Sequence, residues 1–186
     1  MKKSKKLNLG CGIEIKKDYI NLDWIKSKGV DIVYDLNKVP YPFKNNAFEK
    51  IYASHILEHL EGNWFEIIKE LTRILEKEGV LIVKVPHFSS PGAFLENHKR
   101  FFRYRSFEPY NEQKTMKGLD QIKRYKLRTI YKKINFIKFP LIYNFFIEWL
   151  VNLSKSASLI YENTFLKSLF PANEIVFKLK KCQVSV

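Results

Sequence analysis

Five short apolar runs, each followed by polar residues, occupy the first half of the chain. Residues 5–10 (KKLNLG), 18–23 (DYINLD), 30–36 (VDIVYDL), 48–54 (FEKIYAS) and 79–87 (GVLIVKVPH) are rich in Ile, Val, Leu, Phe and Tyr, and they predict strands. Residues 174–181 (EIVFKLKK) predict a last strand, and rough alternation places another within 119–136. The period changes between the fourth and fifth runs. In residues 63–79, Trp64, Ile67, Ile68, Leu71, Ile74 and Leu75 recur at spacings of three and four, which is a helical stripe. Asn63 can cap its start and Gly79 follows its end. Strand, amphipathic helix and buried strand make a βαβ unit, with parallel pairing and a right-handed crossover. Connections before the fourth strand are short, so helices there are brief or missing.

Polar residues cluster at one end of these strands. Gly10 and Gly12 follow the first, Asp23 closes the second and Asp35 closes the third. Ser54 and His55 follow the fourth, and His87 the fifth. An open parallel sheet binds ligands outside the carboxyl ends of its strands, so five coincident strand ends argue for a nucleotide-like ligand. In "LNLGCG" the G-x-G lets the backbone turn tightly and approach a ligand, and the Asp23 carboxylate can accept from two ribose hydroxyls. A pair of turn glycines and an aspartate capping the next segment would read the same way.

Composition narrows the class. The 186 residues suit one domain, here taken as 1–186, and 46% hydrophobic with 15% aromatic content is that of a packed core. Two cysteines, Cys11 and Cys182, make no disulfide framework or zinc knuckle and suit a reducing, cytoplasmic setting. The basic N-terminus is followed by no long apolar run, so no signal peptide is expected. The longest apolar stretch, residues 139–153, is short for a span and carries Asn144 and Glu148. A buried or interfacial amphipathic helix is expected there, with peripheral membrane contact open but no transmembrane segment. The net charge is +14, and residues 99–138 hold 13 basic and three acidic residues. A basic face toward an anionic substrate, phosphate or membrane and a solvated lysine surface both fit this pattern.

"LNLGCG", "YINLDW", "DIVYDLN", "YPFKNNAFEKIYASHILEHL" and "EGVLIVKVPH" resemble the successive motifs of class I S-adenosylmethionine-dependent methyltransferases, most closely the small type 11 group. The resemblance covers residues 5–110, with "FPANEIVFKLKK" similar to a closing strand. It implies an α/β fold: a Rossmann-like, seven-stranded, mostly parallel sheet, its last strand antiparallel, with a helical insertion (140–172) before that strand. S-adenosylmethionine is the implied cofactor. Carried over, Leu9, Gly10, Cys11 and Gly12 would line its methionine part and Asp23 would hold the ribose. Trp24 would pack near the adenine, Asp35 and Leu36 would bound it, and Ser54 and His55 would lie under the sulfonium. One departure stands out: Glu14 occupies a position where a further glycine is usual.

Methyl transfer to a hydroxyl needs alignment and removal of a proton. Histidine suits the second task, and the four histidines, His55, His59, His87 and His98, all fall between residues 55 and 98. His87 or His98 is the expected base, with His55 at the cofactor. Residues 86–118 would form an acceptor lid whose aromatics stack a ring and whose Lys99, Arg100, Arg103 and Arg105 bind phosphate or carboxylate. The expected acceptor is small or glycan-like and anionic. An RNA methyltransferase using the basic 99–138 face is the main alternative. A non-catalytic cofactor-binding protein is another. "SHILEHL" also spells the H-x-x-E-H of a zinc peptidase through His55, Glu58 and His59, which requires both histidines on one helix face. Because "EKIYAS" reads as a strand feeding directly into it, a peptidase is not the expected reading. No metal is part of the expected site, although some related quinone O-methyltransferases carry a similar E-x-x-E-H here, which leaves a divalent ion aiding acceptor deprotonation as an alternative.

Overall fold

The computed structural model describes residues 4–110, 127–139 and 141–182. Its strands are β1 (Lys6–Leu9), β2 (Ile20–Asp23), β3 (Ile32–Val33), β4 (Phe48–Ser54), β5 (Leu75–Pro86), β6 (Leu127–Asn135) and β7 (Glu174–Lys181). They form one sheet in the order β3-β2-β1-β4-β5-β7-β6. β1 to β5 pair in parallel, and β7 runs antiparallel between β5 and β6. The order reverses beside β1, between the outward runs to β3 and to β6. That switch point is where an open α/β sheet presents a crevice at its carboxyl edge.

Helix α1 (Trp64–Ile74) joins β4 to β5. Asn63 caps it, its side chain accepting from the Phe65 amide. Ile67, Ile68, Leu71 and Ile74 are buried, and each contributes about 1.5–3 kcal/mol by leaving water. The helix stops at Ile74, not at Gly79 as the sequence pattern suggests. Leu75 turns extended to pair with Phe48, because it is a fully buried residue of the sheet as well as the last of the helical stripe. Glu78 then takes a positive φ of 62°. At Gly79 a Cβ would stand 2.9 Å from the Glu76 carbonyl oxygen, so a glycine is needed where the strand regains register.

The β1–β2 crossover is shorter than the dozen or more residues usual for parallel strands, and it forms turns in place of a helix. Buried Asn8 and Asn21 hold those turns: Asn8 donates to the Glu14 carbonyl at 2.7 Å, and Asn21 accepts from the Lys16 amide at 2.9 Å. β3 shrinks to two residues, since Asp35 already caps a turn by accepting from the Asn37 amide. Along β4 and β5, buried residues such as Ile51, Ala53, Leu81 and Val83 alternate with half-buried Tyr52, Ile82 and Lys84. One face of the sheet therefore carries the core while the other meets solvent in part. Helices α2 (Asn144–Asn152), α3 (Lys155–Asn163) and α4 (Leu166–Leu169) lie between β6 and β7. Among the described residues, no helix is long and apolar enough to cross a membrane.

Candidate active site

A cleft of about 560 Å³ opens at the carboxyl edge of β1, β2 and β3. Gly10, Asp23, Trp24, Tyr34, Asp35 and Leu36 form one wall, and the segment after β4 contributes Ile56, His59, Leu60 and Glu61. Asn97 and Lys99 close the far side. The volume lies within the range of pockets that enclose small molecules and cofactors.

Gly10 has φ 62°, and a Cβ there would stand 2.4 Å from Cγ1 of Ile56. The backbone can therefore run against the cleft floor only because this position lacks a side chain. Asp23 is buried, its Oδ2 accepting from the Gly12 amide at 2.8 Å and its Oδ1 from the Ile25 amide at 3.1 Å. The two amides fix the carboxylate at the cleft wall, and each oxygen keeps a second lone pair for a ligand hydroxyl. Trp24 is 70% exposed, an apolar plate facing the opening. Leu36 is buried beside it.

The remaining sequence-predicted residues divide. Leu9 and Cys11 are core residues behind the cleft, and burial, followed by the nearby Asp23 charge, pushes the Cys11 thiol up to about 11. Ser54 ends β4 half-buried. His55, at φ 50°, turns its ring between two carboxylates: Nε2 lies 3.3 Å from Oε2 of Glu174, and Nδ1 lies 3.4 Å from Oε1 of Glu58. The Glu174 hydrogen bond, then Glu58, raises its pKa to about 9, so it is a cation at neutral pH. His87 is wholly enclosed, with Nε2 2.9 Å from Glu162 and Nδ1 2.8 Å from the Ser89 hydroxyl. Its ring contributes nothing to the cleft lining. His98 packs edge-on against His59, ring centroids 4.6 Å apart, and so stands behind a residue that does line the cleft.

Tyr34, Asn37, Ile56, Leu60 and Asn97 also line the cleft and were not anticipated as ligand contacts. Tyr34 precedes Asp35 at a strand end, which is a usable sequence signal; the others arrive by loop packing, for which the sequence carries none.

After Ser54, the last residue of β4, "SHILEHL" forms a bend and a turn and no helix, so His55 and His59 do not share a helix face and the peptidase arrangement is not built. Leu57 and Leu60 pack into the core beneath it. Glu58 is buried, with Oε1 facing Nδ1 of His55 at 3.4 Å. Glu58, His59 and His98 bring donor atoms within 4.8 Å of one another.

Residues 6–83 match the family model described as a methyltransferase domain. The chain is similar in fold to an S-adenosylmethionine-dependent methyltransferase from Archaeoglobus fulgidus (TM-score 0.56, 14% identity, 97% of this chain and 87% of the other). It is also similar to the YcgJ protein of Bacillus subtilis (TM-score 0.53, 12% identity, 96% and 92%). A third likeness is to an S-adenosylmethionine-dependent methyltransferase from Mesorhizobium loti (TM-score 0.50, 12% identity, 97% and 93%). No curated protein sequence matches the chain. The strand order is that of the class I methyltransferase fold, and residues 6–83 carry the match to a methyltransferase domain.

Proposed function

We propose that the cleft holds S-adenosylmethionine through Gly10, Asp23, Trp24, Asp35 and Leu36, and that the methyl goes to a hydroxyl of a small or glycan-like, anionic acceptor. The cofactor supplies an activated methyl on a sulfonium. The glycine cradle at Gly10 and the braced Asp23 carboxylate support the fit. Trp24 and Tyr34 offer aromatic surface to the adenine.

The pair His59–His98 is the best candidate for taking the acceptor proton. Nδ1 of His59 lies 3.3 Å from the Asn97 carbonyl, and Nδ1 of His98 lies 3.2 Å from that of Ala93. A carbonyl only accepts, so each Nδ1 carries the proton and each Nε2 is left with a bare lone pair. His55, held as a cation by two carboxylates, is poorly suited to act as a base. His87 can serve by positioning, since its contacts tie the loop after β5 to α3.

Lys99 lines the cleft beside Glu61, its ion-pair partner at 3.0 Å, and an anionic acceptor would compete with that carboxylate for the ammonium. The RNA reading loses ground because much of the basic face is internally neutralised. Lys99 pairs with Glu61, Arg105 and Lys132 with Glu108, and Lys133 and Lys138 with Glu148. Residues 111–126 of that face lie outside the described residues. The reducing cytoplasm fits two cysteines not joined in a disulfide.

A labelled-methyl assay over hydroxyl acceptors, sugar phosphates and RNA tests the proposal. Transfer to a hydroxylated anion is expected, with kcat reduced on the order of a hundredfold or more in His59→Ala/His98→Ala and cofactor affinity little changed. Transfer to RNA alone, or full activity in the double variant, would overturn it.

A further inference from the structure

Helix α2 is amphipathic in the inverse sense. Its polar residues Asn144 and Glu148 are buried, and with Asn152 they bind the backbone of β6 and the residues just after it. Asn152 accepts from the Ile134 amide at 2.9 Å and donates to the Ile134 carbonyl at 2.8 Å. Glu148 accepts from the Phe136 amide at 3.1 Å, and Asn144 donates to the Ile137 carbonyl at 2.5 Å. With its polar side inward, the helix turns Phe145, Phe146, Trp149 and Leu150 to solvent. Phe146 and Trp149 stack on one another, with centroids 5.7 Å apart.

The exposed apolar surface extends beyond α2. Phe139 is 86% exposed and Ile142 72%, just before the helix. Tyr143 meets Phe170 at 6.0 Å, which connects this end of α2 with α4, where Phe165 and Leu169 are also exposed. Eight half-exposed side chains of this size present roughly 800 Å² of apolar area, above the ~300–600 Å² of the largest patch on an ordinary monomer.

Charge indicates what covers this surface. The two acidic residues between 137 and 170, Glu148 and Glu162, are both buried. Cations nonetheless outnumber acids around the patch: Lys133 and Lys138, the latter above the Phe145 ring, share the single Glu148, Lys155 shares Glu108 with Arg105 and Lys132, and Lys167 stands on α4. A second copy would bring another +14 against the first. A negatively charged, partly apolar surface meets both needs. Trp, Tyr and Phe on a short helix with a lysine rim are the residues that settle at the headgroup level of a bilayer.

We propose that the face formed by α2 and α4 docks on an anionic lipid surface, placing Phe145, Phe146 and Trp149 at the level of the headgroups. The protein then works as a peripheral membrane enzyme whose apolar foot is separate from the cofactor cleft. None of these three residues lines that cleft or touches its walls in a ring contact.

Cosedimentation with vesicles of equimolar phosphatidylcholine and phosphatidylglycerol, against phosphatidylcholine alone, is the test. Binding to the anionic vesicles is expected, weakened by salt. Phe145→Ser/Phe146→Ser/Trp149→Ser should lose it on the order of a hundredfold, while keeping its helical circular dichroism and cofactor affinity. Lys138→Gln/Lys167→Gln, which leaves every aromatic residue in place, should weaken it roughly tenfold. No binding to anionic vesicles, or binding untouched by either variant, overturns the proposal. So does a homodimer, seen by sedimentation equilibrium, that dissociates in the triple variant, because a second copy then covers the face.

Discussion

Alanine at Gly10 should cost far more than alanine at Gly12, although both positions carry positive φ, 62° and 48°. A side chain in the left-handed region costs about 1–2 kcal/mol at either site. At Gly12 that is the whole penalty, since no atom lies within 4 Å of the added Cβ. At Gly10 the Cβ would stand 2.4, 2.7 and 2.8 Å from Cγ1, Cδ1 and Cβ of Ile56. A rotamer change cannot relieve the contact with the Ile56 Cβ, so the chain itself must shift. Overpacking of this kind adds about 1–3 kcal/mol. Gly10→Ala is therefore expected to lose about 2–5 kcal/mol in urea unfolding against about 1–2 kcal/mol for Gly12→Ala. Because Ile56 lines the cleft, the first variant should also lose affinity for S-adenosylhomocysteine in calorimetry. Adding Ile56→Ala to Gly10→Ala removes the clash and should recover part of both losses. Equal destabilisation by the two single variants, or no recovery in the double, would refute the steric reading of the cradle.

Other consequences follow from the buried polar pairs. Glu162→Ala removes the acceptor of both the His87 ring and the Tyr104 amide, so it should cost on the order of 3 kcal/mol in thermal unfolding while leaving cofactor affinity nearly unchanged. His55, raised to about 9 from its ordinary 6.5, contributes stability that is complete below pH 6.5 and fades as pH rises through 9. Glu174, held below the usual carboxylate range first by its His55 hydrogen bond, stays ionised across that window. The stability difference between wild type and Glu174→Gln should then be flat from pH 5 to 6.5 and shrink toward pH 10; a difference that grows with pH contradicts the pairing. With no ion assigned to the Glu58, His59 and His98 donors, which lie within 4.8 Å of one another, a chelator should leave cofactor affinity unchanged in calorimetry. A chelator-dependent loss would assign an ion to that trio.

β4 and β7 occupy the very residues that alternation predicts: β7 buries Ile175, Phe177 and Leu179 in turn, and β4 buries Ile51 and Ala53 after an irregularity between Phe48 and Lys50. The α1 stripe was equally legible at its start, where Asn63 caps. Its end was not, since Leu75 is apolar in both the helical and the strand pattern and only pairing with Phe48 decides between them. The crevice at the strand ends could be read from Gly10, Asp23 and Asp35. The second wall could not, because Ile56, Asn97 and Lys99 meet it through loops with no periodic signal. The contact of His87 with Glu162 spans 75 positions, which no local spacing betrays. The inverse orientation of α2 was invisible for a related reason: whether Asn144 and Glu148 face water or the β6 backbone depends on the partner, not on their spacing.

Calorimetry with S-adenosylmethionine, or its demethylated product, on the wild type and Asp23→Ala tests the cofactor assignment most directly. The wild type should bind. The variant should bind roughly a hundredfold more weakly, having lost a charged acceptor for the ribose hydroxyls. No binding by the wild type, or equal binding by the two, would contradict the assignment of this cleft to the cofactor.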